Sequence, residues 1–194
     1  MKTFFTADLH FGCDHLRKHT RSEYRTIEDH DEAILQNLNE VVMRRDRLVI
    51  LGDFCFTKPG RYRPRIKCAH IFFILGNHDK PLQTRNVFGG NVWDTKVISL
   101  ERGHVFCSHY PHCYWPQSHY GFHHAYGHLH WNAEHEERMN LAFPERRSMD
   151  VGLDNAKRIL GEHKPFSEDL FFDLLSPFKG HGLVERPKSS GSSA

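Results

Sequence analysis

Five apolar runs, each stopping short at a small polar cluster, constrain this chain more than any other feature. Thr3 to Ala7 runs into Asp8-Leu9-His10, Leu48 to Leu51 into Gly52-Asp53, and Ile71 to Leu75 into Gly76-Asn77-His78-Asp79. Val105 to Cys107 runs into Ser108-His109-Tyr110, and Phe122 to Tyr126 into Gly127-His128-Leu129-His130. Most are short enough to be strands, and the second and third are apolar throughout, as strands buried on both faces are. Ligands of open α/β sheets gather outside the carboxyl ends of such strands, so five strand ends would deliver Asp, Asn or His to that edge. Side chains at i and i+2 of an extended segment lie on one side, which makes Asp8 with His10, and His128 with His130, same-side pairs that can each chelate an ion. Carboxylate and amide oxygens with imidazole nitrogens, and no thiolate cluster, suit Mn, Fe, Ni or Zn rather than Ca or a structural Cys-Zn site.

Length and composition set the frame for that reading. With 194 residues the chain fits one domain, expected over 1–186 and able to bury roughly 70% of its unfolded surface. Residues 187–194 are Ser/Gly-rich and read as a disordered tail. No apolar stretch approaches the ~20 residues that span a membrane, and Lys2-Thr3-Phe4-Phe5 enters strand-like sequence without the apolar region of a signal peptide. A soluble, cytoplasmic protein is expected. Five cysteines at 13, 55, 68, 107 and 113, an odd number without a C-x-x-C pair, fit reduced thiols. The formal charge of +2 is too small to imply nucleic-acid binding. Seventeen histidines are far more than usual, and eight of them fall between His104 and His130; His112, His119 and His123 read as surface or hydrogen-bonded loop residues near the site.

Periodicity predicts the elements between the clusters. Residues 26–43 form the clearest helix, with Ile34, Leu38, Val41 and Val42 at i, i+4, i+7 and i+8 and acidic residues near its start. It is a crossover between strands, and Pro59 to Arg65 reads as a basic loop or short helix before the next one. From Asn91 the pattern turns hairpin-like, with Thr95 to Leu100 and His104 to Cys107 separated by Arg102-Gly103, so a second, mixed sheet is expected and no helix before residue 154. Ser167 opens a last helix over Glu168 to Leu175, stopped by Pro177.

In order, type and spacing, the blocks D-x-H, G-D, G-N-H-D, a lone His and G-H-x-H resemble those of the calcineurin-like metallophosphoesterases, from about residue 2 to 175. Leu9-His10-Phe11-Gly12 with His15, and Val151-Gly152-Leu153-Asp154, look like its small single-domain bacterial and phage members, although Cys13 stands where their loop carries a His. The resemblance implies an α/β protein, a four-layer α/β/β/α sandwich of two mixed sheets flanked by helices. It implies two divalent transition-metal ions, Mn foremost with Fe, Ni or Zn as alternatives. Asp8, His10 and His130 would hold one, Asn77, His109 and His128 the other, and Asp53 would bridge both. Charge logic agrees, because two divalent ions about 3.5–4 Å apart repel and a shared carboxylate and shared hydroxide lower that cost. The hydroxide would attack phosphorus.

The same resemblance makes His78 a catalyst that protonates the leaving oxygen, with Asp79 holding its imidazole. Asn77, His15 and Arg17 are candidate substrate contacts. Arg17, Lys18, Arg21, Arg146 and Arg147 read either as phosphate clamps or as solvated charges. Gly52, Gly76 and Gly127 are backbone positions where strands turn into the site. The expected activity is hydrolysis of a phosphomonoester or phosphodiester on a small phosphorylated substrate, nucleotides included, without a stable nucleic-acid complex and without a membrane. A nuclease is the alternative enzyme, though 194 residues leave no room for a DNA-binding domain. A non-catalytic scaffold of the same fold would lose ligands or the catalytic His, and here His78 is present.

Overall fold

Strand β1 (Thr3–Thr6) enters the structure buried along its whole length, and the chain then alternates strands and helices as the crossover pattern requires. The computed structural model describes residues 1–176; the expected tail at 187–194, the domain limit at 186 and the stop at Pro177 lie outside the described residues. After β1 come α1 (Asp14–His19), α2 (Ile27–Val41), β2 (Arg47–Leu51), two 3-10 turns over 59–65, β3 (His70–Ile74), α3 (Pro81–Phe88) and β4 (Val92–Trp93). The second half holds β5 (Thr95–Leu100), β6 (Gly103–Ser108), β7 (His123–Tyr126), α4 (Ala133–Ala142), β8 (Ser148–Asp150), α5 (Leu153–Leu160), β9 (Phe166–Ser167) and α6 (Glu168–Leu175).

Two mixed sheets result, the expected α/β architecture. One has the order β4-β3-β2-β1-β9, parallel except for β9; the other has β5-β6-β7-β8, with an antiparallel β5/β6 hairpin and parallel pairs beyond it. Alternation along the central strands explains why they are apolar throughout. Phe4, Leu48, Ile50, Ile71 and Phe73 face Ile34, Leu35 and Leu38 of α2 and Phe88 of α3, whereas Phe5, Val49, Leu51 and Ile74 face Val105, Cys107 and Ala125 of the second sheet. The sheets therefore pack on each other through one core, and α2 and α3 cover the first sheet through another. On the far face of the second sheet Tyr126 donates to Glu136 of α4 at 2.5 Å, and Arg146 pairs with the same carboxylate. Helix α2 begins where its capping box predicts, with Thr26 accepting from Asp29 N and Asp29 accepting from Thr26 N.

Helix α4 lies where none was expected, and α1, α3 and α5 are helices the periodicity did not single out. Helix α4 buries only Met139, so its sequence lacks an apolar period; its signals are Asn132, which caps the helix by accepting from His135 N, and the Glu134/Arg138 pair. Helices α1 and α3 are one and a half to two turns long, too short for a periodic pattern to stand out. No helix among the described residues is long and apolar enough to cross a membrane.

Candidate metal centre

The carboxyl ends of both sheets meet at one place. Asp8 and His10 follow β1, Asp53 follows β2 and Asn77 follows β3 in the first sheet; His109 follows β6, and His128 and His130 follow β7 in the second. Two groups of ligand atoms form, Asp8 with His10 and His130, and Asp53 with His109 and His128, the atoms of each group within 4.8 Å of one another. Asp53 Oδ2 lies between them, 3.6 Å from His10 Nε2 and 3.5 Å from His109 Nε2. Asn77 Oδ1 reaches the second group at 2.9 Å from His109 Nε2, and His10 and His130 present their Nε2 atoms to each other at 3.1 Å.

Extended i, i+2 geometry is not what pairs these side chains. Asp8, His10, Asp53, His128 and His130 all have positive φ, between 48° and 73°, and only Gln117 and Trp131 share that property among the described non-glycine residues. Strands β1, β2 and β7 thus end in left-handed residues that carry their ligands, a conformation costing about 1–3 kcal/mol per residue unless the surroundings enforce it. Backbone bonds from Asp8 N to Gly52 O and from His10 N to Asp53 O lock the two loops together. Gly52, at φ 89°, must be glycine for a second reason, since a Cβ there would collide with His109 Nδ1 and approach Gly76 Cα to 2.7 Å.

The electrostatics of the site suit a cation. Asp8 Oδ1 is buried without a hydrogen-bond partner among the described residues, and burial together with the Asp150 and Asp53 charges holds the Asp8 carboxyl well above its usual range. Burial, reinforced by His130, pushes His10 down to about 2, and burial also lowers His109 and His128, so these rings are neutral and keep a lone pair for a metal. His109 Nδ1 sits 2.8 Å from Leu51 O, and His130 Nδ1 2.7 Å from Asp154 Oδ2. Both acceptors fix the tautomer in which Nδ1–H donates and Nε2 faces the site.

Asp154 and Arg21 are the residues that sequence reasoning missed in these roles. The Arg21 guanidinium is fully buried and donates to both Asp154 oxygens and to the carbonyls of Asp8 and Leu9. It is neither a phosphate clamp nor a solvated charge; it ties the first ligand loop to the carboxylate that orients His130. Burial opposes ionisation of Asp154, but the His130 hydrogen bond and Arg21 hold its carboxyl far below the usual range. Arg146 is likewise buried, against Glu136 and Asn140. The available signal was Val151-Gly152-Leu153-Asp154 itself, quoted as a resemblance and assigned no role.

Asp79 requires a correction. Its carboxylate accepts from the amides of Asp53, Phe54 and Gly76 at 2.8–3.1 Å, and no contact joins it to the His78 ring among those described. It staples the second and third ligand loops together, because three converging N–H groups occupy both of its oxygens. His78 is held instead by its own amide, which donates to Asp53 Oδ1, while its ring lies with Nε2 3.9 Å from Asp53 Oδ2 and against Phe56 at a 4.6 Å centroid distance. Arg17 bonds to Asp14 and to the carbonyls of Tyr24 and Arg25, and His15 is exposed beside His19. All five cysteines are free, Cys113 alone exposed, and neither ligand group contains one.

Fold and site together define an α/β protein of two mixed sheets with two adjoining groups of possible metal ligands where the carboxyl ends of the sheets meet. It is 26% identical over 182 residues to the uncharacterized protein MJ1445 of Methanocaldococcus jannaschii, covering 92% of this chain and 93% of that one. Its fold is similar to that of AQ665 from Aquifex aeolicus, a protein of unknown function, with a TM-score of 0.68 and 22% identity over 89% of this chain and 98% of the other. A looser likeness, at a TM-score of 0.44 and 19% identity over 67% of this chain and 70% of the other, is to YfcE, a phosphoesterase from E. coli. No family model matches the chain.

Proposed function

We propose that the protein is a dinuclear-metal phosphoesterase acting on a small phosphorylated substrate. The observation that carries the reading is the position of Asp53 Oδ2 between the two ligand groups, within 3.6 Å of a histidine from each. Asp8, His10 and His130 would hold one ion and Asn77, His109 and His128 the other, with Asp53 shared. A pair of divalent ions at these residues would supply an activated water and neutralise the phosphate oxygens. The protein's own part is to fix that geometry: Asp154 and the Leu51 carbonyl orient His130 and His109, and Asp79 holds the Asp53 and Asn77 loops in register. His78, half exposed and 3.9 Å from Asp53 Oδ2, would give a proton to the departing oxygen.

Two experiments test this. Elemental analysis after loading with Mn should find two ions per chain in the wild type, both weakened in Asp53→Asn and one chiefly weakened in His10→Ala. Equal metal content in the two variants would refute the division of ligands. A hydrolysis panel of aryl monoesters, aryl diesters and cyclic nucleotides should then show activity with Mn, Ni, Fe or Zn. His78→Ala should keep its metals and lose about 10²–10⁴-fold in turnover of poor leaving groups, less for activated aryl esters. A net charge of +2 offers few phosphate contacts to a polyanion, so processive degradation of DNA is not expected.

A further inference from the structure

Beside the metal centre the structure holds a second feature that the hydrolytic chemistry does not use. Phe56 is 47% exposed, although one part of its ring packs on His78 at 4.6 Å and on His10 at 5.3 Å. Its backbone is fixed, since Phe56 N donates to Phe11 O at 2.9 Å immediately after the Phe11/Cys55 bridge. The ring forms a wall of a cleft of about 300 Å³ that continues from His78 between Thr57 and the start of α3, where Lys80, Gln83 and Thr84 line it. Among the described residues Lys80 makes no ion pair and Gln83 no side-chain hydrogen bond, so both polar ends can meet a ligand.

We infer that this cleft is a subsite for a flat aromatic ring carried by the phosphoester, with Phe56 as its stacking platform. The inference rests on the proposed phosphoesterase reading and specifies the substrate class of that site. An exposed phenylalanine gains by covering its face, and a planar ring does so better than a saturated one because the offset-stacked arrangement adds to area burial. Position decides which part of the substrate goes there. His78 borders both the cleft and the candidate metal centre, its Nε2 3.9 Å from Asp53 Oδ2, so the cleft's occupant is the group attached to the departing oxygen, and a leaving group seated on Phe56 brings that oxygen to His78. Phe56 is then a specificity-determining residue and Lys80 and Gln83 are donors to polar edges of the ring. A phenol and a nucleobase share this chemistry, and size separates them.

The test is equilibrium binding of phosphonates in which a methylene replaces the bridging ester oxygen, and which therefore have no ester bond to hydrolyse, to the Mn-loaded full chain by calorimetry. Benzylphosphonate should bind about tenfold more tightly than cyclohexylmethylphosphonate, which is nearly the same size. Phe56→Leu, which keeps bulk against His10, should abolish that preference with metal content unchanged, and Phe56→Trp should restore it. The adenosine phosphonate with methylene in place of its 5′ bridging oxygen binding more tightly than benzylphosphonate identifies a nucleotide as the source; equal binding identifies a simple aryl ester. Equal affinity for benzylphosphonate and cyclohexylmethylphosphonate in the wild type, or a preference that survives in Phe56→Leu, overturns the subsite. If the wild type shows the ring preference but hydrolyses nothing with any metal, the phosphoesterase reading fails while the subsite stands.

Discussion

Single residues at this site act through the neighbours that aim them, and Asp154 shows how far that reaches. It contributes no ligand atom to either group, yet it sets the tautomer of His130 and neutralises the buried Arg21, which in turn binds the carbonyls of Asp8 and Leu9. Asp154→Asn should therefore lower metal affinity at the Asp8/His10/His130 group by about 10–100-fold while sparing the other, as metal titration of the purified variant would show. Asp154→Ala should additionally destabilise the fold by about 3–5 kcal/mol in urea unfolding, because Arg21 would be left buried without its carboxylate. A variant with both sites equally weakened would mean that Asp154 acts on the whole centre rather than on His130.

At the level of elements, the decisive surface is the far face of the second sheet, where β7 carries His124 between Phe106 and the 110–122 loop. Its Nδ1 lies 3.0 Å from Phe106 O, its Nε2 accepts from His112 N, and burial pushes it down to about 3. A histidine whose folded pKa is lowered stabilises the fold fully above its unfolded value of about 6.5, and that stability is lost as pH falls from there toward the folded value. His123 and His163, each pushed down to about 4 by burial, act in the same direction. Metal-free protein should thus lose stability on acidification below about pH 6.5, His124 contributing up to about 1.4 kcal/mol per pH unit. Melting curves of wild type and His124→Gln at several pH values check this: the variant's dependence should be shallower, and an identical slope would acquit His124.

For the molecule as a whole, the candidate centre exists only because two sheets pack face to face. Asp8, His10, Asp53 and Asn77 come from one sheet and His109, His128 and His130 from the other, and what fixes their spacing is the shared core of Phe5, Val49, Leu51, Val105 and Cys107. A ligand that binds only the native arrangement must stabilise the whole of it. At Mn concentrations about a hundredfold above the dissociation constant, each site should add about 2.7 kcal/mol, raising the melting temperature in proportion to log concentration. Asp53→Asn should melt almost independently of Mn, and a wild-type melting temperature unmoved by any of the four metals would refute metal binding at these residues.

The sequence by itself determined which residues could be ligands and roughly where the strands end, because an apolar run buried on both faces and a capped amphipathic helix are local patterns with local causes. The β5/β6 hairpin, helix α2 and helix α6 were legible for that reason. It could not supply the reason Asp8 pairs with His10: the extended geometry that seemed to explain the spacing is replaced by left-handed turns, held by bonds between loops 43 or 44 residues apart in the chain, from Asp8 to Gly52 and from His10 to Asp53. Nor could it give Asp79 or Arg21 their partners. Both are charged side chains whose role depends on what converges on them, three amides from two loops in one case and a carboxylate 133 residues away in the other. Burial forces a charge to find partners, and only the packed tertiary structure decides which ones are within reach.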